Sequence, residues 1–349
     1  MRYNMFGRTG LLVSELSLGT MTFGISQWGG IGGVDQAGAD QLVRCALDAG
    51  VNLLDTADVY SGGQSEEMTG TALRNLGIAR QDVLVATKTF GQASDAPNDR
   101  GASRAHIIDS LHASLKRMQL DHVDLYQLHG FDPLTPIEES LRALDHLVRQ
   151  GAVRYIGVSN WAAWQIAQAM GMTERLGLAP LASVQAYYSL AGREIEHEIA
   201  PFLAATGLGL VCWSPLAGGM LSGKFDRDTE GNDSSRRATV PFPPVDVDRT
   251  YDLIDELRTI ARSHGASVPQ VALAWLLHRE IVSTVLLGAK RVDQLEDNLG
   301  ATAIELSQAD LDRLETASKL APVYPQWMQS IFDGGRGEQI AALGQRSRR

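Results

Sequence analysis

Val51-Asn52-Leu53-Leu54-Asp55-Thr56-Ala57-Asp58-Val59-Tyr60 is a short apolar run that ends in a carboxylate, with a tyrosine five residues on. The same design recurs twice downstream. Val83-Leu84-Val85-Ala86-Thr87-Lys88 ends in a lysine, and Val123-Asp124-Leu125-Tyr126-Gln127-Leu128-His129 ends in a histidine. In a barrel of parallel strands ringed by helices, functional groups come from the C-terminal ends of several different strands. Asp55, Lys88 and His129 fall at such ends, and Tyr60 opens the loop after the first of them. Each residue alone also has an ordinary reading: a helix cap for Asp55, a solvated strand-end charge for Lys88, a bonded loop residue for His129. Coincidence does not account for four in order.

The four have complementary chemistry. A tyrosine is a poor acid, with an ordinary pKa of about 10. A neighbouring ammonium lowers it, because opposite charge favours the phenolate. A carboxylate beside the lysine keeps that lysine charged and in place. A histidine orients a carbonyl oxygen or relays a proton.

Strand and helix patterns alternate outward from this stretch, which predicts βα units and a parallel sheet. The strands are expected at Leu16 to Thr20, Val51 to Leu54, up to Lys88, up to His129, Val153 to Val158, Ser183 to Ala186, Gly209 to Trp213 and Ser283 to Leu287. Helices are expected from Asp35 to Ala49, Ser65 to Asn75, Ser103 to Met118, Pro136 to Gln150, Trp161 to Glu174, Glu194 to Ala205, Thr250 to His264, Val268 to His278, Val292 to Asn298 and Ser307 to Leu320. Ser214 to Asp248 is long and irregular, as functional loops often are. The fold class is therefore α/β, a (β/α)8 barrel with extended loops at its C-terminal face. One domain over 1–349 is expected, with the barrel at about 11–320 and a tail at 321–349.

Composition agrees with a globular enzyme-sized domain: 349 residues, 44% hydrophobic and 21% charged. A net charge of −10 argues against sequence-independent nucleic-acid binding, which needs a basic face. No apolar stretch approaches the roughly 18 residues of a membrane span, and no signal core opens the chain, so no membrane and a cytoplasmic location are the default expectations. Cys45 and Cys212 read as small core residues. Asn232-Asp233-Ser234 is a glycosylation sequon without meaning in that location. No clustered metal ligands are apparent.

The residues quoted above resemble those of the aldo-keto reductases, whose Asp, Tyr, Lys and His tetrad carries over as Asp55, Tyr60, Lys88 and His129. The likeness runs from about Leu11 to Leu320. It includes Gly157-Val158-Ser159-Asn160, Val184-Gln185-Ala186-Tyr187-Tyr188-Ser189-Leu190 and Trp213-Ser214-Pro215-Leu216-Ala217-Gly218-Gly219. It is closest to the branch with long cofactor loops, which holds bacterial aldo/keto reductases and potassium-channel beta subunits. The resemblance implies an N-terminal hairpin up to about Val13 that plugs the barrel bottom. It also implies NADP(H) and a small carbonyl or alcohol substrate, and leaves homo-oligomer formation open.

Cofactor residues follow in the same terms. No Gly-x-Gly-x-x-Gly follows a strand and opens a helix, so a Rossmann site is excluded. Gly29 to Gly33 reads as a flexible loop. Gly218 to Lys224 fits most of a phosphate-loop pattern, but Phe225 stands where the motif needs Ser or Thr, which excludes triphosphate hydrolysis. Backbone amides of Leu216, Gly218 and Leu221 suit a pyrophosphate instead. By resemblance Trp213 stacks on the nicotinamide, and Ser159, Asn160 and Gln185 bond its carboxamide. Thr20, Asp55, Ser214 and Pro215 belong to the same group. The adenosine end falls on Gly288, Ala289, Lys290 and Arg291 at a helix start, with Gln294, Asp297 and Asn298 behind. Gly288 and Gln294 stand where many relatives carry Lys and Arg, so Lys290, Arg291, Lys224, Arg236 and Arg237 are the candidates for a 2′-phosphate. Met21, Trp28, Tyr60, Phe90, Trp161, Tyr324 and Trp327 are expected to line an apolar substrate cleft, with the aromatic tail folded over it and the last residues loose.

Overall fold

A computed structural model describes residues 1–26, 30–225, 227, 237 and 240–343. A hairpin of β1 (Tyr3–Met5) and β2 (Leu12–Ser14) comes first. A closed barrel of eight parallel strands follows, in sequence order: β3 (Leu16–Gly19), β4 (Leu53–Asp55), β5 (Leu84–Thr89), β6 (Val123–Leu128), β7 (Val153–Ser159), β8 (Leu181–Tyr187), β9 (Gly209–Trp213) and β10 (Val282–Leu287), which pairs back onto β3. Every residue of β6 and of β10 is buried, as strands covered on both faces must be.

The outer helices form where the sequence supplies both an apolar stripe and an end signal. In α1 (Gln36–Asp48) the Asp35 carboxylate accepts from the Gly38 amide. Ala39, Leu42, Val43 and Ala46 are its buried stripe. α2 (Gln64–Asn75) lies between α1 and α3 (Arg104–Met118), which Ser103 caps and which buries Ile107, Leu111 and Met118. α4 (Ile137–Arg149) and α5 (Ala163–Leu176) continue the ring. The helix expected from Glu194 to Ala205 is broken. A 3-10 turn occupies Glu194–Glu196 and α6 begins at Ile199 and ends at Thr206. Pro201 explains the break: in a continuous helix its ring would strike the His197 carbonyl, whereas the first turn of a new helix tolerates it.

The barrel interior alternates by twos. Leu53, Ala86, Leu125, Val211 and Leu286 pack together inside, with Phe6 and Val13 of the hairpin closing the bottom. Two residues further along the same strands stand Asp55, Lys88, Gln127 and Trp213, since strand side chains repeat their face every second residue. The apolar layer thus dictates which polar side chains reach the barrel mouth. β8 departs from this parity: Ala182 and Gln185, three apart, both point inward. The pairing of β7 with β8 slips by one residue at this point, which absorbs the odd step.

The hairpin fits tightly. Gly7 has φ +60°, and a Cβ there would lie 2.5 Å from the Ala182 carbonyl oxygen and 2.6 Å from the Gly209 amide. Gly7→Ala is therefore expected to cost about 1–3 kcal/mol through overpacking and backbone strain. Urea unfolding checks this, and wild-type stability in the variant would show that the plug is loosely seated.

Candidate active site

Lys88 is fully buried, yet its ammonium is saturated. Nζ forms an ion pair with Asp55 Oδ1 and donates to the Thr56 carbonyl at 2.8 Å and to Tyr60 Oη at 3.2 Å. Three protons meet three acceptors. Burial by itself disfavours the charge, but Asp55 and then Tyr60 outweigh it, and the pKa of Lys88 lies above its usual value. The other oxygen of Asp55 accepts from Gln185 Nε2 at 2.9 Å and Gln127 Nε2 at 3.2 Å. Asp55 ends β4, Lys88 is the next-to-last residue of β5, and His129 is the first residue past β6.

Tyr60 departs from the sequence expectation. Burial raises its pKa, Lys88 pulls it down, and Asp55 pushes it up; the net shift is upward. The phenol is a protonated donor in this state. Its oxygen accepts from Lys88, so its own proton is left to point elsewhere. The Lys88 ammonium also lies 4.8 Å from the centre of the Tyr60 ring. His129 meets that ring edge-on at 5.7 Å between centres. Burial, with Lys88 adding to it, drops the His129 pKa to about 3, so the imidazole is neutral at working pH. The mouth thus presents one fixed cation held by a carboxylate, one phenol and one neutral imidazole.

A strip of polar and aromatic groups continues across β7 to β9. Ser159 is 1% exposed and its hydroxyl has no hydrogen-bond partner among the described residues. A buried orphan of that kind suits a ligand amide, and it is the feature that best fits a nicotinamide carboxamide here. Asn160 Nδ2 donates to the His129 carbonyl and Oδ1 accepts from Trp213 Nε1, both at 3.0 Å. Asn160 and Ser214 both adopt left-handed backbone, at φ +61° and +51°, where β7 and β9 turn into their loops. Trp213 stacks on Phe242 at 5.8 Å and 12°, and Tyr187 is tilted against it at 5.2 Å.

The other expected cofactor residues are spread from the barrel mouth to the start of the helix Val292–Leu299. Thr20 is buried with its hydroxyl on the Asp55 carbonyl and Ser65. Gln185 faces Asp55. Ser214 Oγ accepts from the Gly218 amide, and the Leu221 amide donates to the Leu216 carbonyl, so two of the amides expected to cradle a pyrophosphate are engaged. Pro215 is buried beside them. Arg237 holds the Ala217 and Pro243 carbonyls, and Lys224 is exposed. At the far end Gly288 is exposed and Ala289 buried; the Ala289 carbonyl accepts from Thr22. Lys290 Nζ donates to the Gly30 carbonyl at 2.7 Å, its amide donates to Gln294, and Arg291 pairs with Asp293. Asp297 accepts from Ser267 and Gln270, and Asn298 is buried.

Met21 and Phe90 are half-buried near the mouth. Trp161 is buried edge-on to Phe131 at 5.1 Å. Trp28 and Arg236, like the sequon, lie outside the described residues. The tail forms helices Gln326–Asp333 and Arg336–Ala342. Gln326 anchors it to His197 and Glu198, while Tyr324 and Trp327 pair with each other at 5.9 Å, 71% and 43% exposed, and Tyr324 lines a groove with Met328 and Phe332. Both rings face solvent. Gln127 and Phe242 went unpredicted. The parity of β6, which puts Gln127 in step with His129, would have found the first; nothing local marks the second.

Among the described residues no helix is long and apolar enough to cross a membrane, and no three His, Cys, Asp or Glu gather to hold a metal ion.

Comparison with known proteins gives the same picture. The family model described as aldo/keto reductase matches residues 15–319. A probable voltage-gated potassium channel beta subunit of Arabidopsis thaliana is 36% identical over 334 residues, 93% of this chain and 99% of the relative. Its counterpart in Oryza sativa subsp. japonica is 38% identical over 330 residues, 92% and 98%. The uncharacterized oxidoreductase YrpG of Bacillus subtilis (strain 168) is 38% identical over 323 residues, 90% and 95%. Members of the matched family are oxidoreductases that generally use a nicotinamide dinucleotide. With its eight-stranded barrel and the Lys88-centred mouth, the chain belongs to the aldo/keto reductase family.

Proposed function

We propose that this protein reduces aldehydes or ketones to alcohols with NADPH, or runs the reverse oxidation, with Tyr60 as the proton donor. The observation that carries the reading is the contact of Lys88 Nζ with Tyr60 Oη. It occupies the phenol oxygen as acceptor and leaves the hydroxyl proton to donate into the mouth. A bound nicotinamide supplies the hydride that a carbonyl carbon takes up. As that carbon is reduced, its oxygen gains negative charge and takes the Tyr60 proton. Lys88 then stabilises the phenolate left behind, and Asp55 keeps Lys88 charged throughout. His129, neutral, holds the carbonyl oxygen by an N–H bond. Ser159 and Asn160 hold the carboxamide, and Trp213 offers a flat face once Phe242 gives way.

The phosphate preference rests on Lys290 and Arg291 at the exposed start of the helix Val292–Leu299. Both can exchange their present partners, a carbonyl and a surface carboxylate, for a 2′-phosphate. The free thiols of Cys45 and Cys212 suit the reducing cytoplasm. A second reading, a cofactor-binding regulatory subunit with slow turnover, draws on the likeness to the two plant proteins, both probable voltage-gated potassium channel beta subunits. Such a protein would purify with NADPH bound.

The test is NADPH absorbance with an aromatic aldehyde. Consumption is expected with NADPH in preference to NADH, and Tyr60→Phe is expected to lower it about 10²–10⁴-fold. Equal turnover in that variant would remove Tyr60 from the chemistry. No turnover in a protein that carries NADPH would favour the regulatory reading. Lys88→Met should also be inactive and should lose about 3–5 kcal/mol in urea unfolding, because Asp55 is left charged and unpaired. Adding Asp55→Asn should restore much of the stability and none of the activity. A double variant as unstable as the single one would show that Lys88 serves the fold by packing.

A further inference from the structure

A second buried carboxylate stands next to the mouth and has no part in the steps above. Asp58 is 3% exposed. Its amide donates to the Lys88 carbonyl at 3.1 Å. Oδ2 accepts from Ser110 Oγ on α3 at 2.8 Å, and Oδ1 is buried with no hydrogen-bond partner among the described residues.

The charges around it can be matched in pairs. Asp55 pairs with Lys88, and Glu66 of α2 pairs with Arg117 of α3 at 2.6 Å while accepting from Thr87. Among the described residues Asp58 remains as the carboxylate without an ion-pair partner of its own; Arg117, held by Glu66, acts on it only through space. The other groups facing it are Thr89 of β5 and, through Ser110 and Thr89, Tyr126 of β6. Thr89 in turn meets His106 at 3.2 Å, and His106 lies 3.4 Å from Asp99. A buried charge that stays unpaired acts on its neighbours through a poorly screening medium. Tyr60 is two residues away, with Lys88, Asp55 and His129 as its other polar neighbours.

We propose that Asp58 is a positioning residue for Tyr60: it pins the 55–60 segment to α3 through Ser110, and its unneutralised charge keeps the phenol protonated against the pull of Lys88. The sign follows from electrostatics. A nearby anion disfavours a phenolate, so Asp58 works with Asp55 and against Lys88. Burial lifts the Asp58 carboxyl to about 6, with Ser110, Thr89 and the Arg117 guanidinium holding it down and Glu66 pushing it up. The charge is therefore present above about pH 6 and absent below.

The functional meaning rests on Tyr60 as proton donor, but the test does not. Protein labelled with 13Cζ-tyrosine is titrated by NMR, with the Tyr60 resonance identified by its loss in Tyr60→Phe. In Asp58→Asn the Tyr60 signal should titrate at lower pH than in wild type. Ser110→Ala, which keeps the charge, should be less stable yet titrate near wild type. In wild-type protein the same resonance should also step near pH 6 as Asp58 loses its charge, a readout that needs no folded Asp58 variant. Where carbonyl reduction is measurable, its alkaline limb should move down in Asp58→Asn. A flat Tyr60 signal from pH 5 to 7, or an unchanged titration in folded Asp58→Asn, would overturn the inference. Lack of turnover would count against the proposed function alone.

Discussion

An ammonium sealed inside a protein survives only if every proton it carries finds an acceptor. The Lys88–Asp55 ion pair meets that condition, and the barrel mouth is arranged around it. Two glutamines from β6 and β8 hold the second Asp55 oxygen, so four strands converge on one carboxylate. The Thr56 carbonyl and the Tyr60 oxygen take the remaining ammonium protons. The tyrosine is thereby tied to a charge that cannot leave. The same dry surroundings that make the pair costly also raise the Tyr60 phenol and suppress the His129 imidazolium. In the proposed reaction the phenol is thus a donor that stays protonated until negative charge develops on the carbonyl oxygen beside it.

Much of this is legible in the chain because parallel strands impose parity. The apolar residues Leu53, Ala86 and Leu125 fill one interior layer, and the residues two places on must face the mouth. Asp55 and Lys88 follow at once, and His129 lies on the same face as Leu125. The end signals of the helices are equally local: Asp35, Ser103 and Gly50 mark their places without tertiary help. Pro201 carried such a signal too, and its steric conflict with His197 breaks a helix that composition alone would draw as continuous.

The rest depends on contacts between distant residues. Gln185 resembles a cofactor ligand in its motif; that it also donates to Asp55 depends on a register slip between β7 and β8. The phenol pKa shows the same limit. The lysine beside Tyr60 argues for a lowered value, but burial, which no motif reveals, outweighs it. Asp58 stands out only once the pairing of Glu66 with Arg117 leaves it without an ion-pair partner among the described residues. Phe242 reaches Trp213 from a long loop whose sequence gives no hint of the stacking.

In the proposed reaction a carbonyl carbon at this mouth takes a hydride from the nicotinamide while Tyr60 supplies the proton. Single-turnover reduction of an aromatic aldehyde with NADPH deuterated at C4 on the transferred face tests it most directly, with the alcohol analysed by NMR. The account predicts one deuterium on the carbinol carbon of each product molecule. Alcohol formed without deuterium from reagent labelled on either face would contradict it.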